Sequence, residues 1–230
     1  MPMQIEPIPR WGAVLTVLML MFALYYDGPI TSRMPSDGTT FGDFYHLLRA
    51  LGYLPTWLFF GFLLVVSGSA GHRRGRKMAA LAIVSTAVLS GLATEVLKLL
   101  VRRPDPGIGP VASWTPIPLE GGWWNPEWWN GADLCFPSGH AAVAWGAAIA
   151  ISRRWRGAAP VMLILAAGCA AGRVVARGHY VSDVVASLLV AMISSFIVEK
   201  LISRVPENAS GSAQVSDLDP DTGEKTCGSP

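Results

Sequence analysis

Long apolar runs separated by short polar breaks dominate this chain, and that pattern predicts its elements. Crossing the hydrocarbon core of a bilayer takes roughly 20 apolar residues. Six segments approach that length: about 10–26, 51–69, 78–101, 138–152, 158–176 and 180–202. The expected fold is all-α, an integral membrane bundle of six transmembrane helices within residues 1–204. The fourth segment is short and opens on the polar Ser138-Gly139-His140, so its first turn is expected to line a site instead of touching lipid. Arg10 ahead of the first run looks like the start of a signal peptide. The run ends in Tyr25-Tyr26-Asp27 without a small-residue cleavage site, which predicts a retained helix. Residues 205–230 are polar, with Asp217, Asp219, Asp221 and Glu224, and are expected to form a disordered cytoplasmic tail.

Composition agrees with a bilayer setting. Apolar residues make up 51% of the chain and charged residues only 15%, against roughly 25% charged in soluble domains. The net charge of +2 makes no case for nucleic acid. Cys135, Cys169 and Cys227 are odd in number and widely spaced, which suits neither a disulfide framework nor a zinc site.

Where the charges sit is more informative. Arg10, the group Arg73, Arg74, Arg76 and Lys77, the group Arg153, Arg154 and Arg156, and finally Lys200 and Arg204 all fall on one side of the predicted bundle. The excess of basic residues assigns that side to the cytoplasm, with both termini inside a multi-pass cell-membrane protein. The extracytoplasmic side receives loops 27–50, 102–137 and 173–179, with Arg33, Arg49, Lys98, Arg102, Arg103, Arg173 and Arg177. Most of these oppose the orientation rule, and binding an anion is the simplest reason for their presence.

Three stretches meet on that outer face, at the ends of predicted helices 3 to 6. In Lys98-Leu-Leu-Val-Arg102-Arg103-Pro104, Lys98 and Arg102 share a face if the helix runs that far, and Pro104 stops it. The plain alternative is a pair of cations snorkelling to lipid phosphates. In Phe136-Pro137-Ser138-Gly139-His140, Ser138 is a natural N-cap ahead of open helix amides that bind anions. Gly139 allows close approach, and His140 sets a titratable group beside the anion. In the third stretch, Gly172 to Asp183, Asp183 follows His179 by four residues, so its carboxylate can reach the imidazole on one helix and fix its tautomer. The alternative role for Asp183 is a helix cap. An aspartate at the start of a membrane helix is costly unless paired or wet, which favours function.

Together these stretches resemble the signature of the type 2 phosphatidic acid phosphatase family, related to the vanadium haloperoxidases, over roughly residues 78–200. Pro137-Ser138-Gly139-His140 matches outright, and Arg173, His179 and Asp183 match in identity and spacing. Two departures stand out. Gly172 replaces the usual serine, and the register counted from Lys98 to the family's Arg-Pro holds Asp105-Pro106, with Arg103-Pro104 arriving two residues early.

The resemblance implies a metal-independent, cofactor-free phosphatase acting on a phosphorylated lipid, either a phosphomonoester or a pyrophosphate. His179 would attack phosphorus to give a phosphohistidine while Asp183 orients the ring. His140 would protonate the leaving oxygen and then activate water. Lys98, Arg103 (or Arg102 in its place), Ser138, Gly139 and Arg173 would hold the phosphate oxygens. A lipid phosphotransferase would use the same residues, and a non-catalytic anion-binding membrane protein is the reading that Asp105 encourages. A transporter is least supported, because the ionisable residues gather at one face. Trp114, Trp123, Trp124, Trp128 and Trp129 crowd the long outer loop, either to guide a lipid from the interface or to pack that loop upon itself.

Overall fold

The computed structural model describes residues 10–35, 42–67, 73–107, 114, 116 and 133–204. The expectations for residues 205–230 and for Trp123, Trp124, Trp128 and Trp129 lie outside them. The described residues form α1 (Arg10–Thr31), α2 (Gly42–Ala50), α3 (Leu54–Val66), α4 (Arg73–Val101), α5 (Gly139–Arg154), α6 (Ala159–Val175) and α7 (Val181–Ile202). A single 3-10 turn at Arg156–Ala158 joins α5 to α6. Among these residues there is no strand, only an isolated bridge between Pro104 and Leu134.

Four helices, α1, α4, α6 and α7, are long and apolar enough to cross a membrane, and the bent pair α2–α3 raises the number to five. Among the described residues four or five spans thus pass by length and composition, and the expected six are not confirmed. The second predicted span, about 51–69, holds only α3, and α2 precedes it across Leu51-Gly52-Tyr53 at a bend of 64°. The fourth is the 16-residue α5, about 24 Å long at 1.5 Å per residue and so short of the hydrocarbon thickness.

Why α5 can be short follows from its neighbours. It packs against α4, α6 and α7 at the centre of the bundle. Ala141, Ala142, Ala144, Ala147, Ala148 and Ala150 are at most 1% exposed. Small side chains let membrane helices approach closely. At Gly146 a Cβ would lie 2.7 Å from Ser90 Oγ and 3.1 Å from the Thr86 carbonyl, so only glycine permits this crossing of α4 and α5.

The large apolar side chains point outward instead: Leu18 and Phe22 on α1, Phe59 and Phe62 on α3, Ile164 on α6, and Ile193 on α7 are all exposed. An apolar exterior around a core of small and polar residues is what a lipid-facing bundle requires. Helix α4 runs from the basic cluster Arg73–Lys77 toward Lys98, while α5 and α7 run back toward Arg153, Arg154 and Lys200. At that basic end Arg154 pairs with Glu199, joining α5 to α7. The motif residues sit at the opposite end.

Candidate active site

The path of the chain just after α4 organises this end of the bundle. Arg102 has φ 53°, a left-handed backbone that ends α4 and turns the next residue inward. Arg102 therefore leaves the helix instead of sharing a face with Lys98. Residues 103–105 then run beside 133–135, with the Asp105 amide donating to the Asp133 carbonyl and the Cys135 amide to the Arg103 carbonyl, each at 3.0 Å. This short pairing puts the Cys135 carbonyl 2.8 Å from His179 Nδ1. A carbonyl only accepts, so Nδ1 carries the proton and Nε2 keeps its lone pair. The Cys135 thiol donates to the Pro104 carbonyl at 3.0 Å, and burial pushes its pKa upward.

Behind His179 lies a sealed ionic layer. Arg103 is fully buried, with Nη1 donating to Asp183 Oδ1 and Ser182 Oγ at 2.7 Å and Nη2 to Asp27 Oδ2 at 2.8 Å. Its two faces are covered by the rings of Trp114 and Tyr180, at 3.9 and 3.8 Å. Asp183 Oδ2 accepts from the Tyr180 amide at 2.8 Å, capping α7, and lies 3.6 Å from His179 Nδ1. Asp183 thus caps α7, while the nearer partner of the imidazole is the Cys135 carbonyl. His179 itself precedes α7, which begins at Val181. Asp27, on α1, accepts from the Ser182 amide at 2.9 Å and from the Ser182 hydroxyl.

In front of His179 opens a cavity of about 540 Å³. Lys98, Gly139, His140, Arg173 and His179 line it, together with Glu95 and Asp105. Both imidazoles therefore face one space. His140 Nε2 is buried without a hydrogen-bond partner, and the ring meets Tyr53 edge-on at 4.8 Å. Arg173 reaches Tyr45 Oη through Nη1 at 3.3 Å, and its Nε has no partner. Its guanidinium lies against Gly178, where a Cβ would come within 2.7 Å of Nη2. Lys98 Nζ pairs with Glu95 Oε1 at 3.0 Å. Gly139 lies against that pair, 3.1 Å from Glu95 Oε1 measured from an added Cβ.

Of the residues expected to touch phosphate, Lys98, Gly139 and Arg173 line the cavity, whereas Arg102, Arg103 and Ser138 do not. Arg103 is held by two carboxylates instead. Ser138 occupies the N-cap position of α5 without a side-chain cap bond, its hydroxyl buried and unpartnered.

Sequence reasoning passed over Asp27, Gly52, Tyr53 and Glu95. Asp27 closes the first apolar run in the sequence, and α1 continues past it to Thr31, so the carboxylate lies within a membrane helix and demands a buried partner. Gly52 packs directly on His140, with an added Cβ 2.7 Å from His140 Cβ, and no pattern in the chain announces that contact. Among the described residues no group of three His, Cys, Asp or Glu is placed to hold a metal ion.

This geometry brings a lysine, an arginine and two imidazoles to one cavity, with Nδ1 of one imidazole held by a backbone carbonyl. Comparison with known proteins gives a match to the model of the PAP2 superfamily over residues 79–206. Neither a curated protein nor a solved structure gives a match. Since the matched stretch covers more than half of the chain and all three motif-bearing segments, the protein belongs to the PAP2 superfamily, whose members are in general phosphatases.

Proposed function

We propose that this protein is a membrane phosphatase that hydrolyses a phosphorylated lipid through a phosphohistidine on His179. The observation that carries the proposal is the shared cavity of the two imidazoles, with Nδ1 of His179 occupied by the Cys135 carbonyl. That leaves Nε2 as the attacking atom. Its lone pair forms the N–P bond as the ester P–O bond breaks, and the departing oxygen takes a proton from His140. In the second step His140 removes a proton from water, whose oxygen attacks phosphorus and releases His179. A phosphate arriving beside His140 favours its protonated form, as the first step requires.

Lys98, Arg173 and the open amides at the start of α5 would carry the charge of the phosphoryl oxygens. Arg103 takes another role in this reading: it holds Asp183 in place, and the carboxylate then stabilises the positive charge that develops on His179. Support for a lipid comes from the cavity's other wall, where Leu54, Pro55, Val88, Leu92 and Val143 offer an apolar path from the charged end toward the lipid-facing surface of α3 and α4. The positive-inside pattern supports an extracytoplasmic site, periplasmic in a bacterium, with both termini and a polar tail at 205–230 in the cytoplasm.

The test is phosphate release by the detergent-purified protein across a panel of lipid phosphomonoesters and pyrophosphates. Turnover should disappear in His179→Ala. Wild-type rates from that variant would sink the assignment. Phosphoryl transfer to an added lipid or sugar alcohol, without free phosphate, would convert the hydrolase into a transferase.

A further inference from the structure

The charges lining the cavity balance before any ligand enters. Lys98 and Arg173 bring two cationic side chains to it, and Glu95 and Asp105 two carboxyl groups. Lys98 is already paired with Glu95. Asp105 is different: Oδ1 accepts from the Gly107 amide at 3.0 Å, and Oδ2 has no hydrogen bond among the described residues. Neither Lys98 nor Arg173 forms a salt bridge to it, although all three line the same space. Burial raises the pKa of this half-buried carboxyl above the usual carboxylate value, so its anion is poorly solvated. A carboxylate in that position repels a phosphate dianion and gains from a cation brought into the cavity.

We infer that the site takes a phosphomonoester carrying its own ammonium group close to the ester oxygen, with the phosphate between Lys98 and Arg173 and the ammonium on Asp105. This rests on the phosphatase reading for the location of the phosphate, but it concerns recognition and not turnover. The three-donor ammonium suits a carboxylate with one free oxygen. It also restores the balance of charge: a zwitterionic ligand adds one net negative charge at neutral pH, where a plain phosphomonoester adds two.

Binding to the His179→Ala protein separates the two readings, because it needs no turnover. The probes are O-phosphoethanolamine against ethyl phosphate, and a long-chain 2-aminoalkyl phosphate against the same chain without the amine. The amine should improve affinity about tenfold in at least one pair, the order expected of one charge-assisted contact. Preference confined to the long-chain pair identifies a lipid, and preference in both a headgroup recognised with or without its tail.

Adding Asp105→Asn keeps the shape and the Gly107 hydrogen bond but removes the charge. It should weaken the amine ligands and tighten the amine-free ones, collapsing the ratio from both sides. Equal affinities within each pair, or a ratio that Asp105→Asn leaves unchanged, overturn the inference. Phosphate release by the wild type is measured separately, and its absence removes the phosphatase reading without altering the binding comparison.

Discussion

Asp27→Ala tests whether the sealed ionic layer holds this end of the bundle together. Asp27 lies on α1, is fully buried, and receives Arg103 Nη2, the Ser182 amide and the Ser182 hydroxyl. Removing one partner of a buried ion pair costs about 3–5 kcal/mol when the other charge is left alone. Here Arg103 retains Asp183 at 2.7 Å, so the low end applies, and most of the loss comes from the orphaned Ser182 amide and the emptied guanidinium nitrogen.

One consideration runs the other way. The layer holds two carboxylates and one guanidinium, and deleting an excess negative charge relieves repulsion. That charge sits at the N-terminus of α7, however, where the helix dipole and the Ser182 amide stabilise it. A net loss of roughly 3 kcal/mol follows, or a melting temperature lower by about 6–12 °C for a chain of this size. Thermal unfolding in detergent reads it directly. Glu95→Gln is the control, because its carboxylate is 56% exposed and such pairs contribute at most about 1 kcal/mol. An Asp27→Ala protein that melts within about 2 °C of wild type, or no lower than Glu95→Gln, would refute the structural account of Arg103.

Three further outcomes follow from contacts. Gly178→Ala places a methyl 2.7 Å from Arg173 Nη2; the guanidinium is flexible enough to move, so unfolding should change little while kcat/KM falls by roughly tenfold or more through a displaced phosphate contact. Gly52→Ala meets His140 at its Cβ, Cα and carbonyl within 2.7–2.9 Å, which no rotamer relieves, so about 1–3 kcal/mol of stability should be lost along with turnover, read by melting and phosphate release together. Cys135, with its thiol buried and its pKa raised, should resist a maleimide at neutral pH in the folded protein and react on unfolding; rapid labelling of the native state would contradict its placement.

The motif end of the fold was legible because it is written in residue types that a bilayer otherwise excludes. Cations on the outer side, a Pro-Ser-Gly-His ahead of an apolar run and an aspartate at a helix start each oppose a default, and the structure brings His140, His179, Lys98, Gly139 and Arg173 around one cavity. What could not be read was depth. Arg103 and Arg173 look alike in the chain, yet one is clamped by carboxylates on both nitrogens and aromatic rings on both faces, while the other lines the cavity. That difference depends on Asp27, 76 residues away in sequence, and on the left-handed turn at Arg102. The six-span count is not confirmed for a related reason. Hydropathy sees composition and not neighbours, so the alanine-rich α5 counts as a span by its apolar run, although it is a 16-residue helix enclosed by three others.

Two layers of charge with different exposure explain how one end of a membrane bundle can be both rigid and reactive. Charges sealed at 0% exposure cannot follow a ligand without leaving a desolvated partner behind, so the inner layer fixes positions and contributes little to binding. The outer charges, borne on Lys98, Glu95, Asp105 and Arg173, remain in contact with the cavity and can be redistributed when a ligand enters. His179 stands at the boundary between them. Its Nδ1 is tied to a backbone carbonyl that the inner layer holds in register, and its Nε2 belongs to the outer layer. The tautomer of His179 is thus set by a group that cannot titrate, and the nearby Asp183 is left to act on charge, at 3.6 Å. On the proposed mechanism, loss of the Asp183 charge would leave the developing imidazolium less stabilised without misdirecting the ring, whereas disturbing the 103–105 and 133–135 pairing would misdirect the ring whatever the charge.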